Sequence, residues 1–303
     1  MSSNTVLCLI IFMFFTLEIH GQTIECENVP AKASHIKCFF SDVKQKIGQE
    51  KNQIEITDDE IRDKIDSLPA FGIYKDNYFI TGIPLNTTIN KTTADVKFQI
   101  SIRHRLTNSE LPFNTFLYFT YTQKSFWDIY LKSSPFRDNN YNPGIGLGRY
   151  AIKDSRLVGG AFLQVEHESN GRSDSASRSV NYVSLIGKYF FNESVYFRIK
   201  ASVPYLYRKE NADILDYKGL GNFSIDYKSK NSKWWFSAGI SPTKNFSRIN
   251  TTLNGGYRIS SKFNQYIFGE YYNGTGDSQL DYKRKYSQIR IGIGIKPDFY
   301  SIF

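Results

Sequence analysis

The sequence predicts an all-β fold, an antiparallel transmembrane β-barrel of about 12 strands. Three observations predict it. Aromatic residues make up 16% of the 303-residue chain, yet mean hydropathy is −0.40. That combination excludes a bundle of membrane helices and suits strands with one apolar and one polar face. From residue 94 apolar residues recur at every second position, the period of a strand. The alternating runs reach about ten residues between turns, enough for a tilted strand to cross a bilayer. A soluble sandwich also alternates. The run length, and polar positions filled by Arg, Lys, Asp and Tyr, favour a barrel, which leaves no unpaired edge in hydrocarbon.

The chain opens with its only long apolar run, VLCLIIFMFFTL at residues 6–17. It is shorter than the ~20 residues a spanning helix needs. With EIHGQ behind it, the run reads as a secretory signal over residues 1–21, cleaved after Gly21, although no Lys or Arg precedes it. Cys26 and Cys38 then form an even pair in an exported chain. They are read either as a disulfide or as two free thiols.

Residues 22–93 are read as an N-terminal extension with little core of its own. Within it Thr57 is placed to cap a short helix carrying Ile61, Ile65 and Leu68 on one face. Residues 94–303 are then the barrel. In ADVKFQISIRHRL, Val96, Phe98, Ile100 and Ile102 face one way, and Lys97, Gln99, Ser101 and Arg103 the other. SVYFRIKASVPY repeats the pattern, and QIRIGIGIKPDFYSIF closes it with Ile289, Ile291, Ile293 and Ile295. A Phe at position 303 after such a strand resembles the assembly signal of bacterial outer-membrane barrels.

The net charge of +9 suits nucleic acid or anionic lipid, but Lys and Arg are spread along strands rather than clustered, which argues against nucleic acid. Cys and His spacing suggests no zinc site.

One stretch carries chemistry: HESNGRSDSASRSVN, residues 167–181. In the run before it the odd positions Ala161, Leu163 and Val165 are apolar, so His167 and Ser169 fall on the lipid-facing side. Residues at i and i+2 share a face roughly 6.6 Å apart, within reach of an imidazole and a hydroxyl. A hairpin that preserves the pleat brings Asn181 to the same face beside His167. The three are then a nucleophile, a general base and an orienting acceptor. An amide fixes the imidazole tautomer without placing a carboxylate next to lipid. The simpler reading is a set of polar residues at a barrel rim, joined by a turn rich in Gly, Ser, Asn and Asp. On the preceding strands Gln123 continues the apolar face of Leu117, Phe119 and Tyr121. It is either a headgroup-level strand end or a residue whose amide needs a partner.

Together with YTQKSFW (121–127), SSPFRDNNYNP (133–143) and LDY…IGIGI, this motif resembles bacterial outer-membrane phospholipase A over about residues 94–303. The resemblance implies a 12-stranded barrel with a Ser-His-Asn triad on its outer wall, active as a calcium-loaded homodimer on membrane phospholipids. It implies Ser169 as nucleophile, His167 as base and Asn181 as its orienter. It further implies Ca²⁺ held by the carbonyl of Arg172, the hydroxyl of Ser177 and a carbonyl at Ser133 from the other subunit, with Ser134 as the alternative. Such oxygen donors suit a hard cation. The Gly171 N–H then serves an oxyanion hole, Gln123 lies at the dimer interface, and Glu210 corresponds to a second calcium site. Phe126 stands where the family more usually has Trp. The competing readings are a passive pore, for which Lys97, Arg103, Arg198 and Lys200 would line a channel, and an exported adhesin.

Overall fold

The computed structural model describes residues 57–207, 211–244, 246–261 and 263–303. The signal at 1–21, Cys26, Cys38, most of the extension and Glu210 lie outside them. Among the described residues no helix is long and apolar enough to cross a membrane.

Helix α1 (Asp58–Asp66) opens the described chain. It starts as the sequence predicts: Thr57 accepts from the Glu60 N–H, and Glu60 returns the bond to the Thr57 N–H. Thirteen strands follow. They are β1 (Phe71–Ile73), β2 (Asn77–Pro84), β3 (Asp95–Arg105), β4 (Thr115–Trp127) and β5 (Phe136–Lys153). Next come β6 (Arg156–Ser169), β7 (Ser179–Asn192) and β8 (Val195–Tyr207), then a short helix α2 (Leu215–Lys218). The last are β9 (Gly221–Lys228), β10 (Trp234–Pro242), β11 (Ile249–Arg258), β12 (Gln265–Gly274) and β13 (Tyr286–Ile295).

Neighbours in the chain pair antiparallel from β2 to β13, and β13 pairs back onto β2. The ring therefore closes with twelve strands, β2 through β13, which is the predicted fold. Strand β1 extends the line of β2 along β3, pairing Ile73 with Ile102.

The barrel consequently starts earlier than residue 94. Strand β2 falls within the residues that read as the extension, yet it carries the closing seam, pairing Ile291 with Thr81 on one side and Phe98 with Phe79 on the other. Its brevity, with Gly82 and Pro84 at one end, hides the period. A second departure is at the other end. Pro297, with fixed φ and no N–H, cannot continue a ladder, and β13 stops at Ile295. Residues beyond it turn inside the barrel, where Phe303 packs on Phe116, Tyr118 and Phe162 at ring distances of 5.8, 5.5 and 5.2 Å.

The two faces sort as the alternation predicts. Ile289, Ile291, Ile293 and Ile295 all stand exposed on the outer wall, as do Leu163 and Val165. The inner face is packed with bulky and charged side chains. Glycines on β5 make room: a Cβ at Gly148 would sit 2.4 Å from the Phe116 ring. The lumen is crossed by ion pairs among fully buried groups. Lys97 binds Glu270 and Asp277, each at 2.9 Å, and Arg290 binds Asp95 at 2.9 Å and Asp277 at 3.2 Å. Asp277 belongs to the β12–β13 loop, which folds inward as a plug. Toward the opposite end, Arg103 lies 4.3 Å from the Phe303 ring, and Lys188 donates to the Ser301 carbonyl at 2.6 Å. Of the charges that would line a channel, Lys97 is paired with Glu270 and Lys200 with Glu166, while Arg103 packs on the Phe303 ring.

The two ends differ. Turns at the α1 end include two residues between β5 and β6 and two between β7 and β8, whereas the other end carries the long β8–β9 and β12–β13 loops. In outer-membrane barrels short turns are periplasmic and long loops extracellular. The HESNGRSDSASRSVN turn lies at the long-loop end.

Candidate active site

Strand β6 carries His167 and Ser169 at its last positions, and β7 begins two residues before Asn181. The hairpin register places His167 directly opposite Asn181 and Ser169 opposite Ser179. Directly opposed residues bring their Cβ atoms to roughly 4.5–5.5 Å, so short side chains meet. Here His167 Nδ1 lies 2.9 Å from Asn181 Oδ1. The Asn181 amide nitrogen donates to the Leu206 carbonyl at 3.4 Å, which leaves its oxygen for the imidazole. Since that oxygen only accepts, Nδ1 carries the proton and Nε2 is left as the basic nitrogen. Ser169, two residues on, shares the outer face and is half-buried like His167 and Asn181.

These groups sit at one edge of the apolar wall. On the outer face of β5, Arg149 is exposed opposite Ala161 of β6. Eight residues separate Ala161 from Ser169, a path of roughly 27 Å. On a strand tilted by about 40° that path rises roughly 20 Å, most of the apolar band's height of about 25 Å. Arg149 and Ser169 therefore stand toward opposite edges of that band.

The turn between the strands is rigidly built. Asn170, buried at its start, donates to the Ala176 carbonyl at 2.9 Å and accepts from the Arg178 N–H at 2.9 Å. Gly171 has φ +65°, and a Cβ there would approach the Tyr141 ring to 2.9 Å, so both backbone and space require glycine. Arg172 reaches across to the Arg137 carbonyl at 2.5 Å, tying the turn to β5. Ser177 is 6% exposed, while Arg172 and Asp174 stand in the open.

Gly171, Arg172 and Ser177 are thus gathered in one turn next to Ser169. Ser133 lies in the neighbouring β4–β5 loop, exposed, at the same end of the barrel. The adjacent Ser134 carbonyl already accepts the Trp127 indole N–H at 2.7 Å. Among the described residues no group of three or more His, Cys, Asp or Glu is arranged to hold a metal ion. The oxygen donors that are present, a hydroxyl and peptide carbonyls, match what a hard cation accepts. Gln123 falls in the same row of the wall as Ser169: Gln123 pairs with Tyr141, and Tyr141 with Ser169. Its amide accepts from the Tyr121 hydroxyl at 3.2 Å and donates to Ser125 Oγ at 3.3 Å, so the strand itself meets part of its polar demand.

Three residues around the site escape a reading by alternation alone: Tyr141, Asn142 and Asn170. Only Pro143, a proline inside a strand, signals in the sequence that the ladder beside His167 is interrupted.

Comparison with known proteins shows the family. The phospholipase A1 family profile matches residues 67–296. Phospholipase A1 of Escherichia coli K12 is 33% identical over 219 residues, which cover 68% of this chain and 70% of that protein. The Salmonella typhimurium protein of the same name is 31% identical over 223 residues, 69% and 72% of the two chains. Among solved structures, outer membrane phospholipase A from E. coli superposes with a TM-score of 0.68 at 27% identity, covering 76% of this chain and 99% of its own. A Salmonella typhi outer membrane phospholipase, a dimer with bound calcium, gives 0.68 at 25% identity, covering 80% and 99%. With the profile spanning most of the barrel, this chain belongs to the phospholipase A1 family, as an enzyme built on an outer-membrane β-barrel.

Proposed function

We propose that the protein hydrolyses phospholipid acyl esters through Ser169, His167 and Asn181, with A1, A2 and lysophospholipase activity, as a calcium-dependent homodimer. The observation that carries this reading is the His167–Asn181 hydrogen bond on the lipid-facing wall, beside Ser169 and level with the membrane interface. Acyl esters lie at that depth, between headgroup and hydrocarbon.

In the proposed reaction the Nε2 of His167 takes the Ser169 hydroxyl proton as Oγ attacks the ester carbonyl. Asn181 keeps the proton on Nδ1 and the ring in plane. The tetrahedral oxyanion is met by the Gly171 N–H, in the turn next to Ser169. His167 then protonates the departing lysophospholipid oxygen, and water, deprotonated by the same nitrogen, releases the fatty acid from the acyl-serine.

Calcium binding is proposed for the carbonyl of Arg172, the hydroxyl of Ser177 and the Ser133 carbonyl of a second copy, with Glu210 assigned to a further calcium. Ser133 is favoured over Ser134 because the latter's carbonyl is engaged by Trp127. When bound, the ion supplies positive charge beside the oxyanion. Dimerisation through the face that includes Gln123 completes such a site, and the calcium-bound dimer of the Salmonella typhi relative supports this arrangement.

A passive pore is disfavoured by the Lys97–Glu270–Arg290–Asp277 network that crosses the lumen. The test is hydrolysis of phospholipid in mixed micelles, with and without Ca²⁺, by the native protein and Ser169→Ala. Calcium-dependent release of fatty acid that vanishes in Ser169→Ala supports the reading. Retention of that activity by Ser169→Ala refutes the nucleophile, and indifference to chelation refutes the role of the ion.

A further inference from the structure

The ladder between β5 and β6 is broken beside the proposed base. Pairing holds from Gly144–Glu166 inward and again at Tyr141–Ser169, but lapses at the two positions between. In that register Pro143 falls opposite His167. On its other side Pro143 stays paired with Tyr121 of β4. Across β6–β7 the Asn170 N–H bonds the Arg178 carbonyl, so even positions of β6 face β7 and odd ones, His167 among them, face β5. The N–H that Pro143 lacks would therefore have bonded the His167 carbonyl. Without a substitute, that carbonyl has no strand partner at the last turn of the wall before the catalytic serine.

A substitute is present. The Asn142 side-chain amide donates to the His167 carbonyl at 3.0 Å, and its second N–H donates to Glu166 Oε2 at 3.1 Å. Glu166 is itself held from inside the barrel by Lys200 and by the Ser184 hydroxyl. A side-chain amide thus replaces a backbone N–H and anchors the replacement to a fixed lumenal carboxylate.

We infer that Asn142 is a positioning residue for catalysis: it supplies the ladder bond that Pro143 withholds and so holds the His167 backbone in register with Ser169 and Asn181. Asn142 touches neither substrate nor the imidazole. Its effect passes through the peptide group of His167, and a shift there displaces the imidazole relative to both partners. The inference rests on the proposed triad.

The arrangement makes an unusual rescue testable. Asn142→Ala is expected to lower kcat about tenfold, the size of one lost hydrogen bond to a buried carbonyl, with KM little changed. Pro143→Ala alone restores a backbone donor and should leave kcat near the native value. The double variant Asn142→Ala/Pro143→Ala has the ladder bond back and should recover kcat to within about twofold. Folding is read from heat-modifiable migration of each variant, and Ser169→Ala is assayed alongside. Should Asn142→Ala alone fail to fold, a folded and active double variant still supports the exchange of donors. Native kcat in Asn142→Ala overturns the inference, as does a double variant that is unfolded or as slow as the single one. Activity in Ser169→Ala would sink the triad instead, a separate outcome.

Discussion

Asn181 Oδ1 accepts the Nδ1 proton of His167 at 2.9 Å across directly opposed positions of two adjacent strands. The contact comes from register rather than from a loop. Sheet pairing along the whole β6–β7 hairpin, from Gly159–Tyr189 to Ser169–Ser179, fixes it. An imidazole oriented in this way moves little without the sheet moving.

Removing the acceptor should therefore cost activity and spare the fold. Asn181→Ala is expected to lose about ten- to a hundredfold in kcat, because the imidazole N–H is left unpaired and the ring is free to turn. Hydrolysis in mixed micelles measures it, with heat-modifiable migration unchanged.

Gly171 gives a second test. Alanine there meets both a left-handed φ and the Tyr141 ring at 2.9 Å, a strain of about 1–3 kcal/mol confined to an exposed turn. Gly171→Ala should lower kcat while the midpoint of denaturant unfolding in detergent shifts by less than Arg290→Met shifts it.

The lumenal network makes the opposite kind of prediction. Arg290→Met leaves Asp95, Asp277 and Glu270 short of a counter-charge in a closed interior, and breaking a buried pair costs about 3–5 kcal/mol. Unfolding monitored by tryptophan fluorescence should show that loss. The native protein should give no steady conductance in planar bilayers, since buried ion pairs cross its lumen.

One loop contact should respond to acid. Burial pushes the Asp213 carboxyl up, but hydrogen bonds from Lys283 at 2.7 Å and Tyr282 at 2.5 Å outweigh it and hold the group below its usual range. A depressed folded pKa gives stability that is present above the unfolded value, about 3.9. It is lost as pH falls through the folded one. Hydrogen exchange in residues 211–220 should rise below about pH 4 relative to Asp213→Asn, which has no carboxyl to titrate.

How much of this was legible depended on distance along the chain. The outer wall reads directly from the period of two in QIRIGIGI, and the opposition of His167 and Asn181 follows from preserving the pleat around one hairpin. The lumen does not read that way. Lys97 meets Glu270 and Asp277, and Arg290 meets Asp95, across separations of 173 to 195 residues, so nothing local announces who pairs with whom. The alternation shows only that these side chains point inward, which fits a water-filled channel equally well. Strand β2 is hard to read because it is eight residues long with Gly82 and Pro84 near its end, which blur the period. The tail beyond Pro297 reads as a continuation of the last alternating run, although proline is where a ladder stops.

The outward direction of Ser169 and His167 changes what substrate concentration means for this enzyme. A catalyst facing water samples its substrate in three dimensions and is limited by solubility. Here the solvating medium of the wall is itself the reactant, and encounters are lateral and two-dimensional. Rate then scales with the mole fraction of cleavable lipid in the surface, not with its bulk molarity. Adding inert detergent should slow the protein by surface dilution even when total phospholipid is held constant.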